Sequence, residues 1–504
     1  MSTQCLLLCG NTILPGILRN AGPARLATSL RDAGFDTICA DIGAISKKNN
    51  NTQLIDKIIK KFVGPDTLWV GISTTFLTHI FDVPIGRMID NREQEIPKDS
   101  LFQHFLDLCK SINPNVKFIL GGGYYMNLSK YGFYHFRGYA DHELIEFTKW
   151  CRESSYKMVG VTRLGKVIEC KEYSEFVTSQ IKWHKSDFIT PNDTLPIEVS
   201  RGCIFRCKFC AFPLNGKSKG EWVKHCDVLR DEMIRNYENY GVTRYIFSDD
   251  TYNDSADKIT SLYEEVFSKL PFQLTFSSYI RLDLLHRFQE TAEILQKSGL
   301  RSALLGIETN NHESAKAIGK GLEFEKQIDY IKYLKQNELK NTLFTSGFIF
   351  GLPKDTKESM TELENFLLSK ENPIDHWVCR PLGINPVNNS LQKKYFSEFD
   401  LNYEKYGYSI IGEDSEADVY RVKWDLKQNN IDYDYCLEQG NRISKLSEDL
   451  PNFKFGGQLF GRFSTIIPEQ DVFSMSRKEL REKYDVRQLT REYISNYYTS
   501  LLGY

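Results

Sequence analysis

Three of the twelve cysteines are bunched in Arg201-Gly202-Cys203-Ile204-Phe205-Arg206-Cys207-Lys208-Phe209-Cys210, and the other nine are scattered. Three residues, then two, separate Cys203, Cys207 and Cys210. Thiolates at that spacing can wrap one corner of an iron–sulfur cubane and hold three irons, leaving the fourth without a protein ligand. A structural zinc site asks instead for four ligands, usually as two C-x2-C pairs. No second pair lies nearby, and His225 and Cys226 are the only local candidates. Twelve cysteines in 504 residues are also too few for a disulfide scaffold.

The elements that must position these thiols follow from periodicity. From Leu195 a series of short apolar runs alternates with helical patterns: Pro196–Val199, Tyr245–Phe247, Leu274–Phe276, Ala303–Leu305, Leu343–Thr345 into Ile349, and Trp377–Val378. Six strands separated by helices predict a six-fold βα partial barrel over 191–390. The cysteines directly follow its first strand. Ahead of it, residues 1–152 carry a second alternating series, with strands at Gln4–Cys9, Phe35–Asp41, Leu68–Ser73 and Val116–Leu120, helices over 21–33 and 139–152, and Gly34 as a C-cap. That pattern predicts a parallel α/β sheet, in which ligands sit at the carboxyl ends of the strands. Ser73-Thr74-Thr75 and Gly121-Gly122-Gly123 fall there. Residues 153–190 read as a connector with a hairpin around Gly165. Residues 391–504 read as a mixed extension ending in an amphipathic helix near Leu489–Leu502.

With these motifs in order, the chain resembles the radical S-adenosylmethionine (SAM) superfamily. The resemblance covers about 195–390. It implies that Cys203, Cys207 and Cys210 bind a [4Fe–4S] cluster whose open iron chelates the amino and carboxylate groups of SAM. Reductive cleavage of SAM would then give a 5′-deoxyadenosyl radical that abstracts hydrogen from a substrate. Phe209 stands where the family places an aromatic against the adenine. Ser248-Asp249-Asp250 occupies the place of a glycine-glycine-glutamate motif that receives the SAM amino group, although the glycines are missing. Gly306-Ile307-Glu308-Thr309 resembles a further motif, with Glu308 as a SAM ligand, and Arg281 is a candidate for the SAM carboxylate. Gly347–Pro353 resembles the segment that packs along the adenine. Asp249 and Asp250 would equally serve as helix caps, and Glu308 and Arg281 as strand-end ion pairs. Cys379 on the sixth strand is read as a buried structural cysteine rather than a hydrogen-atom donor.

Residues 1–152 resemble the Rossmann-like cobalamin-binding domain fused to many such enzymes. Gly71-Ile72-Ser73, Gly121-Gly122 and Gly138-Tyr139-Ala140-Asp141 carry that likeness, which makes Ser73, Gly121 and Gly122 candidate cofactor contacts. Gly10 to Gly34 contains no histidine, so the lower-ligand motif of histidine-dependent cobalamin domains is missing. Two alternatives stay open: cobalamin bound without a protein ligand on cobalt, or a cofactor that has been lost. The first implies methyl transfer to carbon, and the second a rearrangement or oxidation. A methylthiotransferase ranks lower, because Cys5 and Cys9 lie about 13 Å apart on a strand at ~3.3 Å per residue and cannot share a cubane corner. A non-catalytic iron–sulfur binding protein is a further, less favoured alternative.

Lys plus Arg is 64 and Asp plus Glu is 66, a formal net charge of −2, which argues against a general nucleic-acid coat. With 41% hydrophobic and 13% aromatic residues the chain can build large cores. No apolar run approaches a membrane span, and Met1-Ser2-Thr3-Gln4-Cys5 has no basic leader, so a cytoplasmic enzyme is expected. A cluster that must be reduced implies a flavodoxin- or ferredoxin-like electron donor. The polar segment 80–100, with Asp82, Arg87, Asp90 and Arg92, reads as a solvated loop.

Overall fold

A computed structural model describes residues 2–10, 19–44, 52–77, 79–84, 95–123, 127–170, 174–212, 214–386, 396–414, 421–456 and 464–504. Arg87, Asp90 and Arg92 lie outside these. The chain divides into two compact units, one of residues 1–190 with 417–420 and 490–504, the other of 191–416 with 421–489.

The first unit is built on a seven-stranded sheet. Its strands are β1 (Cys5–Cys9), β2 (Thr37–Asp41), β3 (Trp69–Ser73), β6 (Lys117–Gly121), β7 (Phe133–Arg137), β8 (Thr162–Leu164) and β9 (Val167–Glu169). Two short strands, β4 (His79–Ile80) and β5 (Val83–Pro84), form a separate ladder. The sheet order is β2-β1-β3-β6-β7-β9-β8, parallel except for the β8–β9 hairpin, which turns through Gly165. Alternation in β1 shows why both faces are covered. Leu6 and Leu8 join a core with Ile55, Ile59, Phe102 and Phe105, while Cys5 and Leu7 join another with Ala27, Leu30, Leu144 and Phe147.

β7 is not among the strands expected from sequence. Its Phe-Tyr-His-Phe-Arg has no polar–apolar alternation, and only the flanking Gly132 and Gly138, both at positive φ, mark its ends. Asp82 of segment 80–100 accepts the N–H groups of Leu101 and Phe102 (2.9 and 3.3 Å), so it caps the helix Leu101–Ile112. The amphipathic C-terminal helix runs Val486–Gly503, and its end belongs to this first unit. Tyr497, Tyr498 and Leu501 are buried in the Leu6 core. Tyr497 Oη accepts the N–H of Asp41 (2.8 Å) and Tyr498 Oη donates to the Asp41 carbonyl (2.9 Å).

The second unit carries β10 (Thr194–Ile197), β11 (Arg244–Phe247), β12 (Thr275–Ile280), β13 (Leu300–Glu308), β14 (Leu343–Phe350) and β15 (His376–Pro381). They pair in chain order, all parallel, and β10 and β15 are both edges. This is the six-stranded partial barrel. Pro196 is tolerated because β10 is an edge strand. That strand ends two residues earlier than expected, at Ile197, because the Val199 N–H turns to the Asp249 carboxylate (3.1 Å). β16 (Ser409–Glu413), β17 (Val422–Leu426) and β18 (Ile431–Asp432) form an antiparallel sheet in the same unit. Here the aromatic tail packs. Trp424 donates to the Leu382 carbonyl (2.8 Å) and Tyr408 to the Gly351 carbonyl (2.7 Å). Among the described residues no helix is long and apolar enough to cross a membrane.

Candidate functional site

The loop after β10 folds back on itself to present the three thiols. Gly216 and Lys217 donate their N–H groups to the Cys203 carbonyl (2.6 and 3.2 Å), and Cys203 N–H donates to the Leu214 carbonyl (3.3 Å). Two glycines permit this closure. Gly202 has φ +75°, and a Cβ there would lie 2.6 Å from the Leu214 carbonyl oxygen; Gly216 has φ +76°, and a Cβ would run into the Arg206 guanidinium. Cys207 closes a turn by accepting the Cys210 N–H at its carbonyl (3.0 Å). Burial raises the Cys203 and Cys210 thiols above the ordinary cysteine range, and each also feels the neighbouring Cys207.

Each sulfur has a polar neighbour. Thr251 Oγ1 lies 3.2 Å from Cys203 Sγ, Asn215 Nδ2 is 3.2 Å from Cys210 Sγ, and Arg281 Nη1 is 3.5 Å from Cys207 Sγ. The Phe205 N–H also points at Cys203 Sγ (3.4 Å). Among the described residues no three His, Cys, Asp or Glu side chains are grouped to hold a single metal ion.

The carboxylates after β11 differ sharply. Asp249 is fully buried and committed: Oδ1 accepts the N–H groups of Val199 and Ser200 (3.1 and 3.0 Å), and Oδ2 accepts the Ser200 hydroxyl (2.6 Å). It therefore ties the end of β10 to the end of β11 and fixes the start of the cysteine loop. Asp250, one residue on, accepts the Gly202 N–H; burial and then Asp249 push its carboxyl up to about 7. Ser248 is exposed and spends its N–H on the Ile197 carbonyl (2.9 Å). Phe209 is half-buried.

Arg281, at the end of β12, forks onto Asp283 with Nε (3.0 Å) and Nη2 (2.6 Å), leaving Nη1 for Cys207. Its guanidinium lies 3.7 Å from the centroid of Phe205. Glu308 ends β13 at φ +72°, a left-handed conformation that a non-glycine residue holds only when its surroundings impose it. Lys320 Nζ lies 3.6 Å from its Oε1 and donates to the Gly306 carbonyl (2.9 Å). Burial raises the Glu308 carboxyl and Lys320 opposes that shift. Thus Cys203, Cys207, Cys210, Asp250 and Arg281 come together through these contacts, with Asp249 behind them. Cys379 is buried, its carbonyl packed against Gly440.

Thr251, Asn215 and Asn253 were not singled out from sequence. Asn253 receives the Arg281 N–H (2.8 Å) and donates to the Arg281 carbonyl (2.9 Å), locking the two strand ends together. Polar residues five after the last cysteine, or directly after the carboxylates, were the only available signal. Behind them Lys258 pairs with Asp254 (2.5 Å) and Lys217 with Asp254 (3.8 Å), both buried.

In the first unit Ser73 and Gly121 are cross-strand neighbours at the ends of β3 and β6. Gly122, at φ +127°, sits where a Cβ would meet the backbone nitrogens of Thr74 and Thr75 at 2.7 Å. Its freedom is used by the fold's own crossing. Gly121 has room, its nearest neighbour being Phe136 at 3.6 Å.

Residues 197–367 match the family model described as the Radical SAM superfamily. A protein named as an uncharacterised methyltransferase of Pyrococcus horikoshii is 29% identical over 184 residues, 36% of this chain. The chain spans only 37% of that relative's length. Two solved structures share the fold. The radical S-adenosylmethionine methyltransferase TsrM from Kitasatospora setae, with cobalamin and a [4Fe–4S] cluster bound, aligns at TM-score 0.57 and 14% identity over 81% of this chain and 77% of that one. The cobalamin-dependent S-adenosylmethionine radical enzyme OxsB, with aqua-cobalamin and S-adenosylmethionine bound, aligns at TM-score 0.50 and 16% identity over 80% and 56%.

Proposed function

We propose that this chain, whose residues 197–367 carry a Radical SAM superfamily domain, is a radical SAM enzyme that transfers a methyl group to carbon with the help of cobalamin. The observation that carries the reading is the convergence of Cys203, Cys207 and Cys210, each beside a polar donor, in a loop held by Gly202 and Gly216. When bound, the cluster supplies one electron that splits SAM into methionine and a 5′-deoxyadenosyl radical, and cobalamin supplies the transferable methyl group.

The chain's own residues do the rest. Cys203, Cys207 and Cys210 hold three irons. Asp250, the less committed carboxylate after β11, takes the SAM ammonium once ionised, while Asp249 keeps the cysteine loop in place. Glu308, held at its strained φ, presents a second carboxylate from the end of β13, and Phe209 offers a face to the adenine. Ser73, Gly121 and Gly122 stand at the carboxyl ends of β3 and β6, where an open parallel sheet takes its ligand. A flavodoxin- or ferredoxin-like protein delivers the electron.

A second reading is a radical SAM rearrangement or oxidation without cobalamin. It is favoured by the absence of histidine between Gly10 and Gly34 and by the internal use of Gly122. Anaerobic purification from cells given hydroxocobalamin, followed by iron and cobalt analysis and a 5′-deoxyadenosine assay with SAM, separates them. About four irons and one cobalt per chain, with 5′-deoxyadenosine formed, support the first reading. Iron and 5′-deoxyadenosine without cobalt move it to the second. Iron-free protein that forms no 5′-deoxyadenosine after anaerobic reconstitution overturns both.

A further inference from the structure

The three polar side chains beside the thiols come from three separate elements, and each addresses a different cysteine. Asn215 lies inside the cysteine loop and is pinned by its bridge to Cys203 and by the Gly216 N–H on the Cys203 carbonyl (2.6 Å). Thr251 follows β11 and is fixed by its neighbour Tyr252, whose N–H donates to the Tyr279 carbonyl (3.0 Å). Arg281 is fixed by Asp283, by Phe205 and, through its backbone, by Asn253. None of the three is a ligand, and their side chains approach the sulfurs at 3.2, 3.2 and 3.5 Å.

We infer that Thr251, Asn215 and Arg281 form a shell of one side-chain hydrogen-bond donor per cysteine that raises the reduction potential of the cluster. The inference rests on the reading that these cysteines hold a cluster. A donor aimed at a ligating sulfur withdraws electron density and favours the reduced, more negatively charged state, so hydrogen bonds to sulfur tune iron–sulfur potentials upward. The protons support this assignment. An Asn amide and an Arg guanidinium offer only N–H groups on these atoms. The Thr251 hydroxyl lies 3.2 Å from Cys203 Sγ and 2.7 Å from the Asp250 carbonyl, and a thiolate is the stronger acceptor for its single proton. Arg281 is thereby assigned to the cluster rather than to the SAM carboxylate, since Asp283 already occupies the other edge of its fork.

The test is a dye-mediated redox titration of the reconstituted holoprotein followed by electron paramagnetic resonance, with iron measured on every sample. Thr251→Val and Asn215→Leu keep side-chain volume and remove the donor. Each is expected to retain wild-type iron and to disfavour reduction about tenfold, a fall of about 59 mV for one electron, while Thr251→Ser stays at the wild-type midpoint. The double variant Arg281→Gln with Asp283→Asn removes the cation without stranding its carboxylate, and is expected to fall at least as far. Iron-replete Thr251→Val and Asn215→Leu proteins with unchanged midpoints would overturn the inference and leave the cluster reading intact. Wild-type protein that takes up no iron sinks the cluster reading itself. If Asn215→Leu loses its iron, the Thr251→Val and Thr251→Ser pair decides.

Discussion

In the N-terminal sheet β1 lies one strand in from the edge, with β2 on one side of it and β3 on the other, and this reversal creates a switch point where adjacent loops part. In the barrel every strand is added on the same side, β10 through β15, so the loops after successive strands follow one another around one curved edge. The difference shows in what the strand ends do. At the first sheet, Gly122 is occupied by the Thr74–Thr75 backbone, and Asp41 is spent on the Gly43 N–H (2.7 Å). At the barrel, strand-end groups are stacked one behind another: Asp249 is consumed in building, and Asp250, Thr251 and Arg281 face the thiols. A glycine at a strand end is therefore weak evidence for a ligand, whereas a charged group held there by a second charged group is stronger evidence.

The largest expected effect lies on the barrel side. Replacing Cys203, Cys207 or Cys210 by Ala should abolish both the bound iron and 5′-deoxyadenosine formation, measured by iron assay and chromatography after anaerobic reconstitution. A Cys207→Ala protein that still cleaves SAM would break the comparison at its stronger end. The next effect lies in the first sheet, where neighbouring glycines should behave oppositely. Gly122→Ala forces a Cβ against two backbone nitrogens at a positive φ. Overpacking of about 1–3 kcal/mol and a backbone cost of about 1–2 kcal/mol should lower the thermal midpoint by several degrees. Gly121→Ala meets only ordinary contact and should melt within about 0.5 kcal/mol of wild type. If the wild-type protein takes up cobalt, a Gly121→Ala protein that folds normally yet takes up none would support the proposed ligand contact at this strand end, and unchanged cobalt would remove Gly121 from it.

Much of this was legible because it is local. The cysteine spacing, the apolar runs and the Gly34 cap are short-range signals, and the six barrel strands lie within a few residues of their expected positions. What was not legible depends on chain closure. Thr251 and Asn215 matter only because Gly202, Leu214 and Gly216, all at positive φ, turn the loop back on itself. Asp249 and Asp250 are chemically identical in sequence; which one is committed is decided in the loop after β11, where the Val199 and Ser200 N–H groups and the Ser200 hydroxyl, some fifty positions earlier, close on Asp249. The grouping of residues 490–504 with residues 1–190 is a contact across more than three hundred positions, beyond the reach of any local pattern.

The smallest effect sharpens the Asp249–Asp250 contrast. Folding raises the Asp250 carboxyl to about 7, by burial first and by the Asp249 charge second, from about 3.9 in an unfolded chain. The fold therefore favours its protonated form. Its stabilising contribution is whole below about pH 4 and is lost as pH rises through about 7, a direction opposite to that of an ordinary ion-paired aspartate. Because the side chain is partly exposed, solvent screening reduces the span to about 1 kcal/mol between pH 5 and 8. Urea unfolding of the cluster-free protein across that range should show this decline, and Asp250→Asn should flatten it while leaving the pH 5 stability near wild type. Asp249→Asn should instead destabilise at every pH, because an amide cannot accept all three of the bonds that the carboxylate receives from Val199 and Ser200. If both variants flatten the slope equally, the two carboxylates titrate as one pair, and the assignment of Asp250 alone to the SAM ammonium fails.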